Sequence, residues 1–190
     1  MTRNIVALGN PGKKYEATRH NIAWQILDFL QVSKDLSWEN KFKGQYASCI
    51  ANGIKAHFLK PMTFMNLSGE SVAAFINFYK INPEDILVVH DEIDLPFGTI
   101  AFKSGGGLAG HNGLKSISEK IGGQEFCRLR VGTGRPTRGS VTNWVLTEFQ
   151  ESEKQDLELV LENSAKALET YIQHGFEEAA KEFSKKNFLE

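Results

Sequence analysis

The sequence predicts an α/β fold: a single-domain, three-layer sandwich in which a mixed central sheet is flanked by helices. Segments with a strand pattern alternate along the chain with segments of helical periodicity, as is typical of this class. The run Ile86–Val89 is apolar throughout, as expected of a central strand that is covered on both faces. The 190 residues contain no linker-like tract, so we expect one domain spanning residues 1–190.

Strand patterns occupy six segments, which turn residues separate from one another. The Asn52–Gly53 dipeptide suits a type I′ turn and predicts a hairpin between residues 46–51 and 54–59. Residues 128–132 alternate basic and apolar side chains, which predicts a strand with one exposed face. The other predicted strands are residues 3–8, 85–90 and 100–102.

Helical periodicity predicts four helices, each with one apolar face. They cover residues 21–32, 68–79, 112–121 and 152–174. Gly175 ends the last of these helices, and the amphipathic C-terminal helical region extends over about residues 152–186.

The net charge of −1 conceals an uneven distribution. Residues 148–190 hold eleven acidic and five basic side chains, whereas residues 99–147 hold seven basic and two acidic ones. The basic block is compatible with a phosphate-bearing partner such as a nucleic acid. We interpret the acidic region as the solvated face of the C-terminal helix.

No apolar run approaches the ~20 residues that a membrane span needs, and the N-terminus has neither a signal nor a transit pattern. We therefore expect a cytoplasmic protein. Cys49 and Cys127 lie far apart in apolar stretches, so we expect two buried thiols in a reducing compartment.

His20 lies where a loop meets the predicted helix 21–32. A lone histidine there is commonly a surface residue, but this one follows strand 3–8 closely enough to reach the carboxyl edge of the sheet. Open α/β sheets bind ligands at that edge. A histidine is suited to general-base catalysis near neutral pH, and we predict Asp91, at the end of the central strand, as its carboxylate partner.

His90, Glu92 and Asp94 surround Asp91 and raise the alternative of a metal site. Alternation along a strand places His90 and Glu92 opposite to Asp91, and no second histidine follows at helical ligand spacing. We therefore expect neither a metal nor a cofactor.

The segment 105–113, GGGLAGHNG, matches a dinucleotide-binding fingerprint only formally, because it does not run directly from a first strand into a helix. The alternative is a loop poor in side chains whose backbone amides approach an anionic or planar ligand. Lys103, Arg128 and Arg130 lie nearby in sequence and are suited to holding a phosphate.

Asn10, Asn66 and Asn112 each lie in a motif-like loop. Asparagine in a loop commonly serves the turn itself, but amide side chains also hold a peptide or ester carbonyl without adding charge. Phe64 and Met65 are interpreted either as core residues or as an apolar wall for a base or a peptide. There is no GxSxG elbow, which favours direct attack by water over a covalent intermediate.

Five motifs, in order between residues 5 and 149, together resemble the bacterial-type peptidyl-tRNA hydrolases: LGNPG, TRHN, KPMTFMNLSG, VHDEIDLP and GGGLAGHNG. The resemblance implies the phosphorylase/hydrolase-like fold of that family. It also implies hydrolysis of the ester between peptide and tRNA in peptidyl-tRNAs released prematurely from ribosomes, which recycles the tRNA. By this resemblance His20 is the general base, Asp91 supports it, and Asn10 senses the peptide carbonyl.

The resemblance extends to the substrate contacts. Tyr15, Phe64 and Asn66 would contact the 3′ end of the substrate, and Asn112 would hold substrate or the attacking water. Lys103 and Arg130 match the lysine and arginine that are thought to clamp the 5′ phosphate of tRNA. We also expect Met65 and His111 to line this site, and we expect a monomer whose partner is peptidyl-tRNA.

Two positions depart from the family pattern. Ala23 stands where a glycine often follows the TRHN motif, and Leu108–Ala109 replaces a more polar or glycine-rich pair. Neither is a catalytic position. Two other interpretations remain open: a non-enzymatic RNA-binding protein on the same fold, and a general hydrolase of small esters or nucleotides.

Overall fold

One mixed sheet of eight strands crosses the molecule in the computed structural model, which describes residues 1–190. The strands are β1 (Thr2–Ala7), β2 (Glu39–Lys41), β3 (Gly44–Ala51), β4 (Ile54–Pro61), β5 (Ile86–Glu92), β6 (Thr99–Ser104), β7 (Cys127–Gly132) and β8 (Lys186–Asn187). Their order across the sheet is β2-β3-β4-β1-β5-β7-β6-β8. The central strands β4, β1, β5 and β7 run parallel, and antiparallel strands complete both edges.

Six α-helices accompany the sheet: α1 (Ile22–Asp28), α2 (Ser68–Tyr79), α3 (Asn112–Ile121), α4 (Val141–Val145), α5 (Lys154–His174) and α6 (Phe176–Phe183). Helices α1, α5 and α6 pack on one face of the sheet, and α2 and α3 pack on the other. Helix α4 packs instead against a one-turn 3-10 helix at Arg19–Asn21.

Alternation along the central strands separates two hydrophobic cores. Leu87 and Val89 of β5 belong to the core beneath α1 and α5, whereas Ile86 and Val88 belong to the core beneath α2 and α3. Every residue of β5 is buried, which confirms the prediction of a central strand covered on both faces. The two cores and the shared sheet make the predicted α/β sandwich.

The predicted hairpin is confirmed. Asn52 and Gly53 both adopt positive φ, 49° and 80°, as a type I′ turn requires, and they join β3 to β4. The predicted helix 21–32 is too long. Phe29 and Leu30 donate to carbonyls three residues back, at 3.1 and 3.4 Å, so the helix tightens and ends there.

The prediction that β7 exposes one face is wrong. Arg128 is only 1% exposed, and its guanidinium donates to the backbone carbonyls of Gly105, Gly106 and Gly107. These carbonyls satisfy a charge that would otherwise be costly to bury. Arg128 is therefore committed to the glycine segment and is not free to hold a phosphate.

The two cysteines also differ from expectation. Cys49 on β3 and Cys127 on β7 are free thiols, but each is partly exposed and not fully buried. None of the helices combines the length and the apolar character that crossing a membrane would require.

Substitution of Gly69 by alanine should destabilise the fold. Helices α2 and α3 approach closely at this position, where an added Cβ would lie 2.0 Å from the carbonyl oxygen of Ser116. Backbone cannot move aside as a flexible side chain does, so we expect Gly69→Ala to lower the free energy of unfolding by about 1–3 kcal/mol. Urea unfolding followed by circular dichroism measures this change.

Gly123→Ala is the matched control. Nothing lies within 4 Å of an added Cβ at Gly123, and its backbone has no positive φ. Its effect should stay within about 0.5 kcal/mol. Equal stability of the two variants would contradict the close approach of α2 and α3.

Candidate active site

A cavity of about 400 Å³ opens at the carboxyl ends of β1 and β5, which are parallel neighbours in the sheet. The structure brings nine of the eleven predicted site residues to its lining: Asn10, Tyr15, His20, Phe64, Met65, Asn66, Asp91, His111 and Asn112. Lys103 and Arg130 do not line the cavity.

The predicted pairing of His20 with Asp91 is present. His20 Nδ1 lies 2.8 Å from Asp91 Oδ1. An ionised carboxylate only accepts hydrogen bonds, so Nδ1 carries the proton and donates it. Nε2 of the neutral ring is then unprotonated, and it makes no hydrogen bond to another protein group. A proton acceptor is thus available at the cavity wall.

Burial and charge act in opposite directions on this pair. Burial lowers the pKa of His20, but the charge and the hydrogen bond of Asp91 outweigh it and raise the pKa above the ordinary 6.5. Burial raises the pKa of Asp91, yet the two neighbouring histidines, His20 and His111, hold it well below its ordinary value. Asp91 is therefore ionised at neutral pH, and it strengthens His20 as a base.

His111 supports the same carboxylate from the other side. Its Nε2 lies 2.9 Å from Asp91 Oδ1, and its Nδ1 accepts the backbone amides of Gly113 and Leu114 at 3.1 and 3.4 Å. Because Nδ1 accepts, Nε2 carries the proton and donates it to Asp91. His111, predicted as a residue of the substrate site, therefore also caps α3 and fixes the Asp91 carboxylate.

Three possible metal-ligand atoms, from His20, Asp91 and His111, lie within 4.8 Å of one another, a grouping that was not predicted from the sequence. Both histidine nitrogens contact the same carboxylate oxygen, at 2.8 and 2.9 Å. Ligand atoms bound at about 2.0–2.2 Å to a tetrahedral zinc ion lie about 3.3–3.6 Å from one another, which is farther apart than these pairs. The arrangement therefore fits two hydrogen bonds to one carboxylate better than it fits a metal centre.

Asn10 is held so that its amide NH₂ is the free end. Its Oδ1 accepts the backbone amide of Met65 at 2.8 Å. Asn21 brackets the backbone of Asn10: Oδ1 accepts its amide and Nδ2 donates to its carbonyl, both at 2.9 Å. With Oδ1 engaged, Nδ2 of Asn10 is the donor that remains for a carbonyl or an oxyanion in the cavity.

The remaining cavity residues divide into exposed and supporting ones. Phe64 is 55% exposed, Asn66 is exposed in the one-turn 3-10 helix Met65–Leu67 that precedes α2, and Asn112 is exposed as the first residue of α3. Met65 is only 4% exposed, and its amide orients Asn10. Each of the two interpretations therefore applies to one residue. Phe64 forms an apolar surface in the cavity, whereas Met65 is a core residue that also borders the cavity.

Lys103 and Arg130 lie on adjacent antiparallel strands, β6 and β7, outside the cavity. Nε of Arg130 donates to Glu92 Oε2 at 3.0 Å. Glu92 also lines the cavity, although alternation along a strand predicts that it faces away from Asp91. Glu92 is the last residue of β5, where the chain leaves the strand and regular alternation ends. Arg130 is therefore linked to the cavity through Glu92.

Two parts of the site were not predicted from the sequence. One is Asn21, which lies in the TRHN motif but was given no role there. The other is an apolar wall of the cavity formed by α4 and the residue after it: Val141, Thr142, Val145 and Leu146. Ser140 caps α4 by accepting the amide of Asn143, and a serine before an apolar segment is the signal that could have predicted this helix.

Replacement of Asp91 by asparagine should lower the pKa of His20. The charge and the hydrogen bond of Asp91 raise that pKa against the lowering effect of burial. An asparagine amide can still accept a hydrogen bond but has no charge to stabilise the imidazolium, so the lowering effect of burial is less opposed. A titration of histidine side chains by NMR measures the change. His57, whose pKa of about 4 is set by burial and the charges of Lys55 and Lys41, should keep its low value. An unchanged His20 titration in Asp91→Asn would show that the pair does not control the pKa.

Comparison with known proteins finds relatives over nearly the whole chain. The family model for peptidyl-tRNA hydrolase matches residues 4–189. A peptidyl-tRNA hydrolase of Citrifermentans bemidjiense is 44% identical over 181 residues, 95% of this chain and 96% of the relative. One from Listeria monocytogenes is 42% identical over 183 residues, 96% of this chain and 98% of the relative.

A solved structure shows the same relationship in three dimensions. The crystal structure of peptidyl-tRNA hydrolase from Acinetobacter baumannii superposes with a TM-score of 0.89 at 36% identity, covering 98% of this chain and 96% of that one. Sequence and fold therefore agree over nearly the full length, and the chain belongs to the peptidyl-tRNA hydrolase family.

Proposed function

We propose that this chain hydrolyses the ester that joins a peptide to the 3′ end of tRNA, with His20 as the general base. Its membership in the family supports the reaction, and the observation that carries the mechanism is the His20–Asp91 pair on the wall of an open cavity. Action on peptidyl-tRNAs lost from ribosomes would return the tRNA to translation.

In the proposed reaction, Nε2 of His20 takes a proton from a water molecule as the water oxygen attacks the ester carbonyl carbon. Asp91 stabilises the imidazolium that forms, and it keeps the ring in the tautomer that exposes Nε2. Collapse of the tetrahedral intermediate breaks the bond to the ribose oxygen of tRNA, which receives the proton from His20. The products are the free peptide acid and tRNA.

Direct attack by water is supported by the composition of the cavity. No serine or cysteine lies in its lining. Cys49 and Cys127 lie on β3 and β7, away from it. The lining has two hydroxyl side chains, Tyr15 and Thr142, and neither is hydrogen-bonded to His20, so no hydroxyl group is activated there to form an acyl-enzyme.

The three asparagines are proposed to hold the acyl group. Nδ2 of Asn10 is the oriented donor, because Met65 engages the Asn10 oxygen. Asn66 and Asn112 border the same cavity and add amide groups that donate and accept without charge. Together they would position the peptide carbonyl and stabilise the developing oxyanion.

The nucleic-acid part of the substrate is proposed to lie on the outer side of the cavity. Tyr15 and Phe64 offer aromatic surface for the unpaired 3′ end. Lys103 and Arg130 are proposed to hold the 5′ phosphate of tRNA as backbone contacts that carry no sequence information. We further propose that residues 1–190 act as one domain, as a monomer, and in the cytoplasm, where translation supplies the substrate.

Blocked and unblocked substrates test the reaction. The protein should cleave N-acetyl-aminoacyl-tRNA rapidly and unblocked aminoacyl-tRNA poorly. His20→Ala should lower turnover of the blocked form by about 10²–10⁴, since it removes a general base. His174→Ala, at the exposed end of α5, is the control and should leave turnover unchanged. Tight binding without cleavage by the unmodified protein would indicate an RNA-binding protein instead.

The pH dependence of the rate tests the role of Asp91. Only the unprotonated form of His20 accepts a proton, so kcat/KM should rise with pH and reach half its maximum above 6.5, because the pKa of His20 is raised. In Asp91→Asn the midpoint should move to lower pH and the plateau should fall. A midpoint that stays in place in this variant would contradict the proposed pairing during catalysis.

A further inference from the structure

Arg19, the residue before His20, is fully buried and holds α4 in place. Its guanidinium donates to both carboxylate oxygens of Glu153, at 3.1 and 2.7 Å. Glu153 belongs to the one-turn helix that leads into α5. Such a bidentate pair fixes both the position and the plane of the guanidinium.

The same guanidinium stacks on two aromatic rings of the segment that contains α4. Its central carbon lies 3.8 Å from the centroid of Trp144 and 4.6 Å from that of Phe149. The backbone amide of Arg19 donates to the carbonyl of Thr147 at 3.0 Å, and Trp144 Nε1 donates to Gly134 at 2.8 Å. Arg19 therefore contacts the α4 segment through both its backbone and its side chain.

Helix α4 depends on such contacts for its position. It has five residues, far fewer than a helix needs to be stable in isolation. Its main packing partner among the helices and strands is the one-turn helix Arg19–Asn21. Arg19 therefore supplies several of the contacts that place α4, together with the bond from Trp144 to Gly134.

The surface that α4 presents to the cavity is apolar and partly open. We call the residues Val141, Thr142, Val145 and Leu146 the α4 wall. Val141 is 37% exposed and Leu146 is 39% exposed, so both have apolar area to bury against a ligand. The wall carries no charge and borders the same cavity as His20, which suits an apolar side chain of the acyl group.

We propose that Arg19 is a positioning residue that fixes the α4 wall and thereby sets a preference for acyl groups with bulky apolar side chains. This inference rests on the proposed function only in assuming that the acyl end of peptidyl-tRNA occupies the cavity. Arg19 touches neither the substrate nor the reacting atoms. It acts through the wall, and its effect is on binding of the acyl side chain.

Binding in a catalytically silent background tests this proposal. In His20→Ala, equilibrium dissociation constants are measured for one tRNA body charged with either N-acetyl-phenylalanine or N-acetyl-glycine, so that contacts to the tRNA cancel. With Arg19 intact, we expect the phenylalanyl form to bind about tenfold more tightly, as for a buried apolar side chain. In the Arg19→Gln, His20→Ala protein the preference should fall below about threefold.

Matched variants distinguish an effect on the α4 wall from a general effect of removing a stacked arginine. Arg3→Gln is a matched control, because Arg3 also stacks on an aromatic ring, that of Tyr171, and donates to a helix carbonyl. Arg3 lies away from α4, so the Arg3→Gln variant should keep the full preference for the phenylalanyl form. Val145→Ala shortens the wall itself and should reduce the preference in the same way. Because Arg19 acts through the wall, adding Arg19→Gln to Val145→Ala should then have little further effect.

Turnover gives a second measurement. In the protein with His20 intact, Arg19→Gln should raise KM for the phenylalanyl substrate about tenfold and leave kcat within about threefold. An equal fall of kcat for both substrates, with the preference retained, would show that Arg19 acts on His20 and would overturn the proposal. A loss of stability with an unchanged preference would overturn it too.

A second variant covers the case in which Arg19→Gln fails to fold, and two outcomes distinguish failure of this inference from failure of the proposed function. If Arg19→Gln does not fold, Trp144→Phe keeps a ring beside Arg19 but loses the bond to Gly134, and it should show the same loss of preference in smaller measure. Equal binding of the two substrates by His20→Ala with Arg19 intact contradicts the inference. Absence of turnover by the unmodified protein contradicts the proposed function, whatever the binding preference.

Discussion

One buried carboxylate, that of Asp91, joins the parts of the active site. His20 from the loop after β1 and His111 from the loop before α3 both bond to a single oxygen at the end of β5. An ionised carboxylate that is 2% exposed would be costly without such partners. Loss of Asp91 would therefore remove the acceptor that both imidazoles share. The loops that carry His20 and His111 would also lose the carboxylate that both contact.

The elements that could be predicted from the sequence are those whose signals are local. The apolar run of β5, the Asn52–Gly53 turn and the periodicity of α2 and α3 each lie within a few neighbouring residues, and all are present. The pairing of His20 with Asp91 followed from a general rule about the carboxyl edge of parallel strands. The identity of the reaction came from the combined motifs and not from any one residue.

The features that could not be predicted depend on contacts between distant segments. Arg128 looked exposed because its strand alternates, but its guanidinium is satisfied by a glycine segment more than twenty residues earlier. His111 and Asn21 support other site residues through hydrogen bonds that no spacing in the sequence reveals. The α4 wall was missed for a similar reason, because a five-residue helix has too little periodicity to detect and is held by Arg19.

The parallel pairing of β1 with β5 has a consequence for how the protein becomes active. His20 and Asp91 are separated by 71 positions, so their bond requires β1 and β5 to pair across a connection that contains the hairpin and α2. Closing a long loop costs conformational entropy before the new contacts compensate for it, so pairing over this separation is slow. The bond between His20 and Asp91 thus depends on the pairing of β1 with β5, and a chain synthesised only as far as β4 contains His20 without its carboxylate partner.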